Sequence, residues 1–235
     1  MNDYHRNELR LGFYSSVSLA IMSLVTFVFA MTAVPVSGIF CPENCVDYPY
    51  LDTLKQFPKD FIWMNLAIVL NLVYVVFIAS IHFYASNDKK IFSQIGQIFT
   101  VMSALILIAD YFIQSTVIPA SLKNGETIGI PLLIQFNPHG LFIVLEELGC
   151  LLTGLSFLFV APVFKNKNRL EVSIKWIFIV AFIIAVISFI AIVFGYGVER
   201  KDRFEVIVIT IDWLVFMING ILVSIVFKRL LNSDG

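Results

Sequence analysis

Six uninterrupted apolar stretches dominate the chain. Each is about as long as the roughly 20 residues of helix that cross the hydrocarbon core of a bilayer. They run approximately from Gly12 to Val34, Phe61 to Tyr84, Ile91 to Pro119, Gly140 to Phe164, Ile174 to Tyr196 and Phe204 to Phe227. In hydrocarbon every N–H and C=O must find its partner inside the protein, which leaves helices or a closed barrel. A barrel needs strands of about 10 alternating residues, and these runs do not alternate. The expectation is an all-α, polytopic membrane protein, a six-transmembrane-helix bundle forming one membrane domain over residues 1–235. Segments 35–60 and 120–139 are its extracytoplasmic loops.

Composition removes other classes. Hydrophobic residues make up 59% of the chain and charged ones 14%, far more apolar side chain than a water-facing surface can hide. Sixteen Lys and Arg against seventeen Asp and Glu leave no basic field for a nucleic acid. Membrane lipid is the expected surrounding, and a homo-oligomer is compatible with the sequence. No cofactor is implied: the chain has no Gly-rich phosphate loop, H-E-x-x-H or G-x-S-x-G in a suitable context. His5, His82 and His139 sit on different elements at different levels, so no metal site is expected.

Charge and cysteine placement orient the chain. Arg6 and Arg10 before the first stretch resemble a signal-peptide n-region, but the apolar run that follows is too long, which favours a retained signal-anchor helix. Six crossings put both termini on one side. That side holds Arg6, Arg10, Lys89, Lys90, Lys165, Lys167, Arg169, Lys175, Lys228 and Arg229, most of the cations. The positive-inside bias makes it the cytoplasm and the protein a multi-pass component of the cell membrane. Cys41 and Cys45 flank a Pro-containing turn in the first outer loop, and are expected to staple it as a disulfide in an oxidising compartment. Cys150, inside the fourth stretch, is expected to act as a small buried hydrophobe.

The second outer loop carries an apolar segment from Ile128 to Phe136, too short to cross the membrane. It leads into Asn137-Pro-His-Gly140, a turn and helix-start signature. This loop is expected to lie in the interface or to act as a lid.

Four carboxyls stand where hydrocarbon should surround them: Asp110, Glu146, Glu147 and Asp212. An ionisable group at the centre of a spanning helix costs at least about 2.5 kcal/mol, so each calls for a partner, a cavity or a proton. Counting about 1.5 Å per residue from the outer helix ends, Asp110, Glu146 and Asp212 all lie roughly 9 to 14 Å deep. Asn65 and Asn71 bracket that level on the second stretch. Helical spacing then assigns faces. Thr100, Ser103, Asp110 and Gln114 form a polar stripe on the third stretch. His139, Glu146, Cys150 and Thr153 align on the fourth, with Glu147 turned about 100° away. Asp212 aligns with Asn219 on the sixth, and Trp213 adjoins as a candidate pocket wall. Trp63 and Trp176, near stretch ends, fit an interfacial aromatic belt.

The pattern predicts an outward-opening pocket with Glu146, Asp110 and Asp212 as its working acids. Asn71, Gln114, His139, Glu147, Trp213, Asn219 and Asn65 are the candidate ligand-binding residues. The one Lys or Arg inside the stretches, Lys175, stands at the terminal end of the fifth, away from the level of these acids, and close carboxyls in a low dielectric do not all ionise unless a cation is bound. The first functional expectation is binding or transport of a small cationic or amphipathic solute, with proton coupling open to it. An integral-membrane enzyme of isomerase or cyclase type, using acid–base chemistry on a lipid-soluble molecule, is the second. A non-catalytic assembly subunit, its polar groups serving helix association, is the third.

Overall fold

The computed structural model describes residues 3–33, 35–165 and 168–233; the stretch boundary at Val34 and the cation Lys167 lie outside them. Among the described residues the secondary structure is helical, with no strand. The α-helices are α1 (Asp3–Thr32), α2 (Ile62–Tyr84), α3 (Lys90–Lys123), α4 (Ile130–Leu133), α5 (Leu141–Val160), α6 (Arg169–Tyr196) and α7 (Arg203–Ser233). All but α4 belong to six helical segments long and apolar enough to cross a membrane, one for each stretch expected from the sequence.

Hydropathy marks where apolar side chains stop, whereas a helix continues until something caps or breaks it. So α1 starts nine residues before Gly12, and α7 runs past Phe227. Before α6, Asn168 Oδ1 accepts the Glu171 amide at 2.9 Å and Asn168 Nδ2 donates back to Glu171 at 3.1 Å. This reciprocal cap fixes the helix start five residues ahead of Ile174. Conversely, α5 gives way at Val160 to a 3-10 turn, Ala161–Val163, that contains Pro162.

The long helices close into a ring: α1 packs on α2 and α7, α2 on α3, α3 on α5, α5 on α6, and α6 on α7. In addition, α5 touches α7 across the ring and is the most deeply buried of the six. Two glycines mark close approaches. A Cβ on Gly149 would stand 2.5 Å from Leu107 Cγ, and one on Gly220 would stand 2.9 Å from the Ser16 carbonyl. Hydroxyls join the same seams. Ser103 Oγ donates to the Gly149 carbonyl at 2.7 Å and meets Thr153 at 2.7 Å, while Thr100 meets Ser156 at 2.7 Å. Ser23 on α1 donates to the Trp213 carbonyl at 3.0 Å. The inner half of the α3 polar stripe therefore binds α3 to α5.

The half of the bundle nearer the chain termini is filled by aromatic rings. Tyr74 and Phe216 lie 4.7 Å apart, Phe157 and Phe178 5.0 Å, and Phe157 and Phe216 5.7 Å between centroids. Such pairs contribute about 0.5–1.5 kcal/mol each beyond their buried area. They fill the space between the helices here, and a smaller hollow of about 140 Å³ lies at the margin of this end, lined by Tyr84, Ser86, Val163, Lys165 and Glu171. At the other end, Cys41 and Cys45 are joined in the expected disulfide, and Val46 N donates to Val36 O at 2.7 Å within the same loop. Cys150 is a free, buried thiol.

Candidate functional site

The loop end of the bundle holds a cavity of about 410 Å³, within the range of roughly 300–1,000 Å³ typical of small-molecule sites. Its walls come from the last turns of α1, the segment after it, the first turns of α2, α5 and α7, and residues 135–136. Six aromatic side chains line it: Phe27, Phe40, Trp63, Phe136, Phe142 and Trp213. Its ionisable groups among the described residues are three acids, Asp60, Asp202 and Glu205, with no Lys, Arg or His.

Two cavity-lining side chains hold polar atoms that are buried without a partner, Asp202 Oδ1 and Gln135 Nε2. Unmet hydrogen-bonding groups in a hollow of this size are groups a ligand or water can satisfy.

Behind the wall lies the cluster of acids anticipated from the sequence. Glu146 on α5 is fully buried. Tyr111 on α3 donates its hydroxyl to Glu146 Oε1, and its ring is held between Trp63 at 5.4 Å and Phe142 at 6.0 Å. Asp110 faces Glu146 from the same helix. Glu205, in the first turn of α7, brings its carboxyl within hydrogen-bonding reach of Glu146. As two carboxylates neither has a hydrogen to give, and Glu146 Oε2 is left with no donor. Deeper along α7, Asp212 meets the Cys150 thiol on α5.

Of the ten site residues expected from the sequence, Trp213 lines the cavity. Asp110 and Glu146 face each other behind its wall, and Asp212, also outside the lining, meets Cys150 instead. Glu147 points away from them, as its helical phase requires, and pairs with Arg200 in the turn between α6 and α7. Gln114 is tied to the loop between α3 and α5, donating to Leu133 O at 2.5 Å and accepting from Gln135 N at 3.0 Å. Asn71 is buried and bonds its own helix at Ala67 O, 2.9 Å away. Asn219 reaches the Ile174 carbonyl on α6 at 3.3 Å, far below the cavity. Asn65 and His139 are exposed.

The structure corrects the assignment of Trp63 to an interfacial belt. Its side chain is only 9% exposed and meets Trp213 at 6.2 Å in the cavity wall; position near a helix end gives depth and says nothing of direction. Trp176, at 54% exposed, faces outward as expected.

The loop between α3 and α5 also covers the site. Ile130, Ile134 and Phe136 are buried while Ile128 is fully exposed, so the apolar segment turns one side into the bundle. Ser37 Oγ donates to the Phe136 carbonyl, tying the disulfide-bearing loop to this one.

Sequence reasoning missed Glu205, Asp60 and Asp202. Glu205 lies between Asp202, Arg203 and the start of an apolar run, where a charge reads as interface. A signal was present, however: 205, 212 and 219 are spaced by sevens, one face of α7. No protein-family model, curated protein or solved structure matches the chain, so its own geometry carries the functional argument.

Proposed function

We propose that the six long helices cross the cell membrane with both termini in the cytoplasm, and that the cavity opens outward and binds or transports a small cationic or amphipathic solute. The outward-facing side chains support insertion: α6 turns Val180, Ile183, Ile187 and Phe194 away from the bundle, all more than 40% exposed, a face that lipid satisfies and water does not. The disulfide-bearing loop lies at the cavity end, which suits an oxidising exterior.

One observation carries the choice of ligand. An aromatic-walled chamber with three carboxyls and no base selects positive charge, since aromatic faces and carboxylates both attract a cation and a desolvated cation–π contact is worth about 2 kcal/mol. The test is thermal unfolding of the purified protein with benzyltrimethylammonium, the uncharged neopentylbenzene of the same shape, and phenylpropionate. The cation alone should stabilise, by about 2.7 kcal/mol at a hundred times its Kd. Equal stabilisation by the anion or the neutral compound would refute the assignment.

A second reading, an integral-membrane enzyme on a lipid-soluble substrate, is favoured by the aromatic rings packed in the half of the bundle beyond the cavity, which suit a closed chamber better than a path. In that case the Tyr111–Glu146–Glu205 chain supplies the acid at the wall. Uptake of the cation into protein-containing vesicles would decide for the carrier.

A further inference from the structure

We infer that Glu205 is an exchange site, which holds either a proton shared with Glu146 or the cationic group of the ligand, so that binding an organic cation releases one proton. This rests on the proposed cation-binding cavity and assigns its coupling. Glu205 belongs to both assemblies: it lines the cavity, and it lies within hydrogen-bonding reach of Glu146. Glu146 is 0% exposed, and its Oε2 has no donor from any other group. Two carboxyls in that relation form a hydrogen bond only with a proton between them.

The surroundings leave the pair no other source of positive charge. Asp110 and Tyr111 face it from α3; Glu147 and Cys150 flank it on α5; Asp202 approaches from the turn before α7, while Asp212 on α7 reaches Cys150. The nearby base is Arg200, whose guanidinium is bound to Glu147. On binding, the O–H bond within the pair breaks and the proton leaves through the cavity to water. Glu205 then takes the ligand's cation, while Glu146 keeps the Tyr111 hydroxyl as donor. The site carries the same net charge before and after, which avoids leaving an uncompensated charge in a low dielectric.

The test uses the full chain in detergent and benzyltrimethylammonium, a cation that does not itself titrate. Calorimetry in two buffers of different ionisation enthalpy counts the protons released. About one proton per cation is expected, with affinity rising tenfold per pH unit while the pair is protonated. In Glu146→Gln the new amide N–H satisfies Glu205 without a proton, so release should fall to near zero and affinity should no longer change with pH over the range where that of the wild type does. Glu205→Gln should lose at least tenfold in affinity and show no release. Asp202→Asn should weaken binding but keep release. Wild-type binding without proton release, or release that persists in Glu146→Gln or vanishes in Asp202→Asn, overturns the exchange and leaves the cation cavity standing. Failure of the wild type to bind the cation at any pH removes both. Should Glu146→Gln not fold, the wild-type proton count and the Glu205→Gln and Asp202→Asn variants decide the matter.

Discussion

Removing the guanidinium at Arg200 tests how the loop end is held. The Glu147 side chain is 5% exposed and that of Arg200 25% exposed, so Arg200→Met leaves a nearly buried carboxylate without its partner. Breaking a fully buried ion pair costs about 3–5 kcal/mol. With part of the arginine already in solvent, about 2–3 kcal/mol is the expected loss, methionine keeping most of the packing against Phe189, now 5.9 Å from the guanidinium. At about 2–4 °C per kcal/mol for a chain of this size, the melting temperature in detergent should fall by roughly 4–12 °C. Adding Glu147→Gln removes the stranded charge, so the double variant should return to within about 1 kcal/mol of the wild type. Both melts can be followed by the fluorescence of a thiol-reactive dye at buried Cys150. A single variant that melts with the wild type, or a double variant no more stable than the single one, would show that the pair does not anchor the α6–α7 turn to α5.

Gly220→Val should be the most disruptive single change on α7. Its side chain meets the Ser16 carbonyl and Ala20, so α1 and α7 must separate, at about 1–3 kcal/mol, read as a lower melting temperature. Trp63 and Trp213 line the cavity whereas Trp176 faces outward. A cationic ligand should therefore change the tryptophan emission of the wild type and of Trp176→Phe alike, and much less in Trp63→Phe/Trp213→Phe. Treating intact cells with an impermeant reductant should let an impermeant maleimide label Cys41 and Cys45 while Cys150 stays unlabelled. Labelling that requires permeabilised cells would reverse the proposed orientation. Cys41→Ser/Cys45→Ser should cost at most about 2 kcal/mol, because the loop it closes is short, and should raise protease cleavage near the loop.

The six helices were legible because apolar length alone determines them; their exact ends were not, because caps such as Asn168 and Glu171 are local polar devices that leave the apolar pattern unchanged. Depth was legible in part: Asp110 comes to face Glu146, while Asp212, set at the same level by arithmetic, meets the Cys150 thiol instead. Direction was only partly legible. Helical phase correctly separated Glu147 from Glu146, yet it made Thr100 and Ser103 resemble the continuation of a polar path, when their hydroxyls face Ser156 and Thr153 on α5. The cavity itself was hidden, since it is built from helix ends and loops whose charges, Asp60, Asp202 and Glu205, look like ordinary boundary residues until the chain is folded.

The cover of the cavity is stitched at one point. Phe136 receives Ser37 through its carbonyl, its neighbours Leu133 and Gln135 are gripped by the two ends of the Gln114 amide, and its ring rests on Phe61. The loop between α1 and α2 and the loop between α3 and α5 are thus tied into one cover resting on the third helix. Anything too large to slip past that cover must break the Ser37 bond and both bonds of the Gln114 amide together.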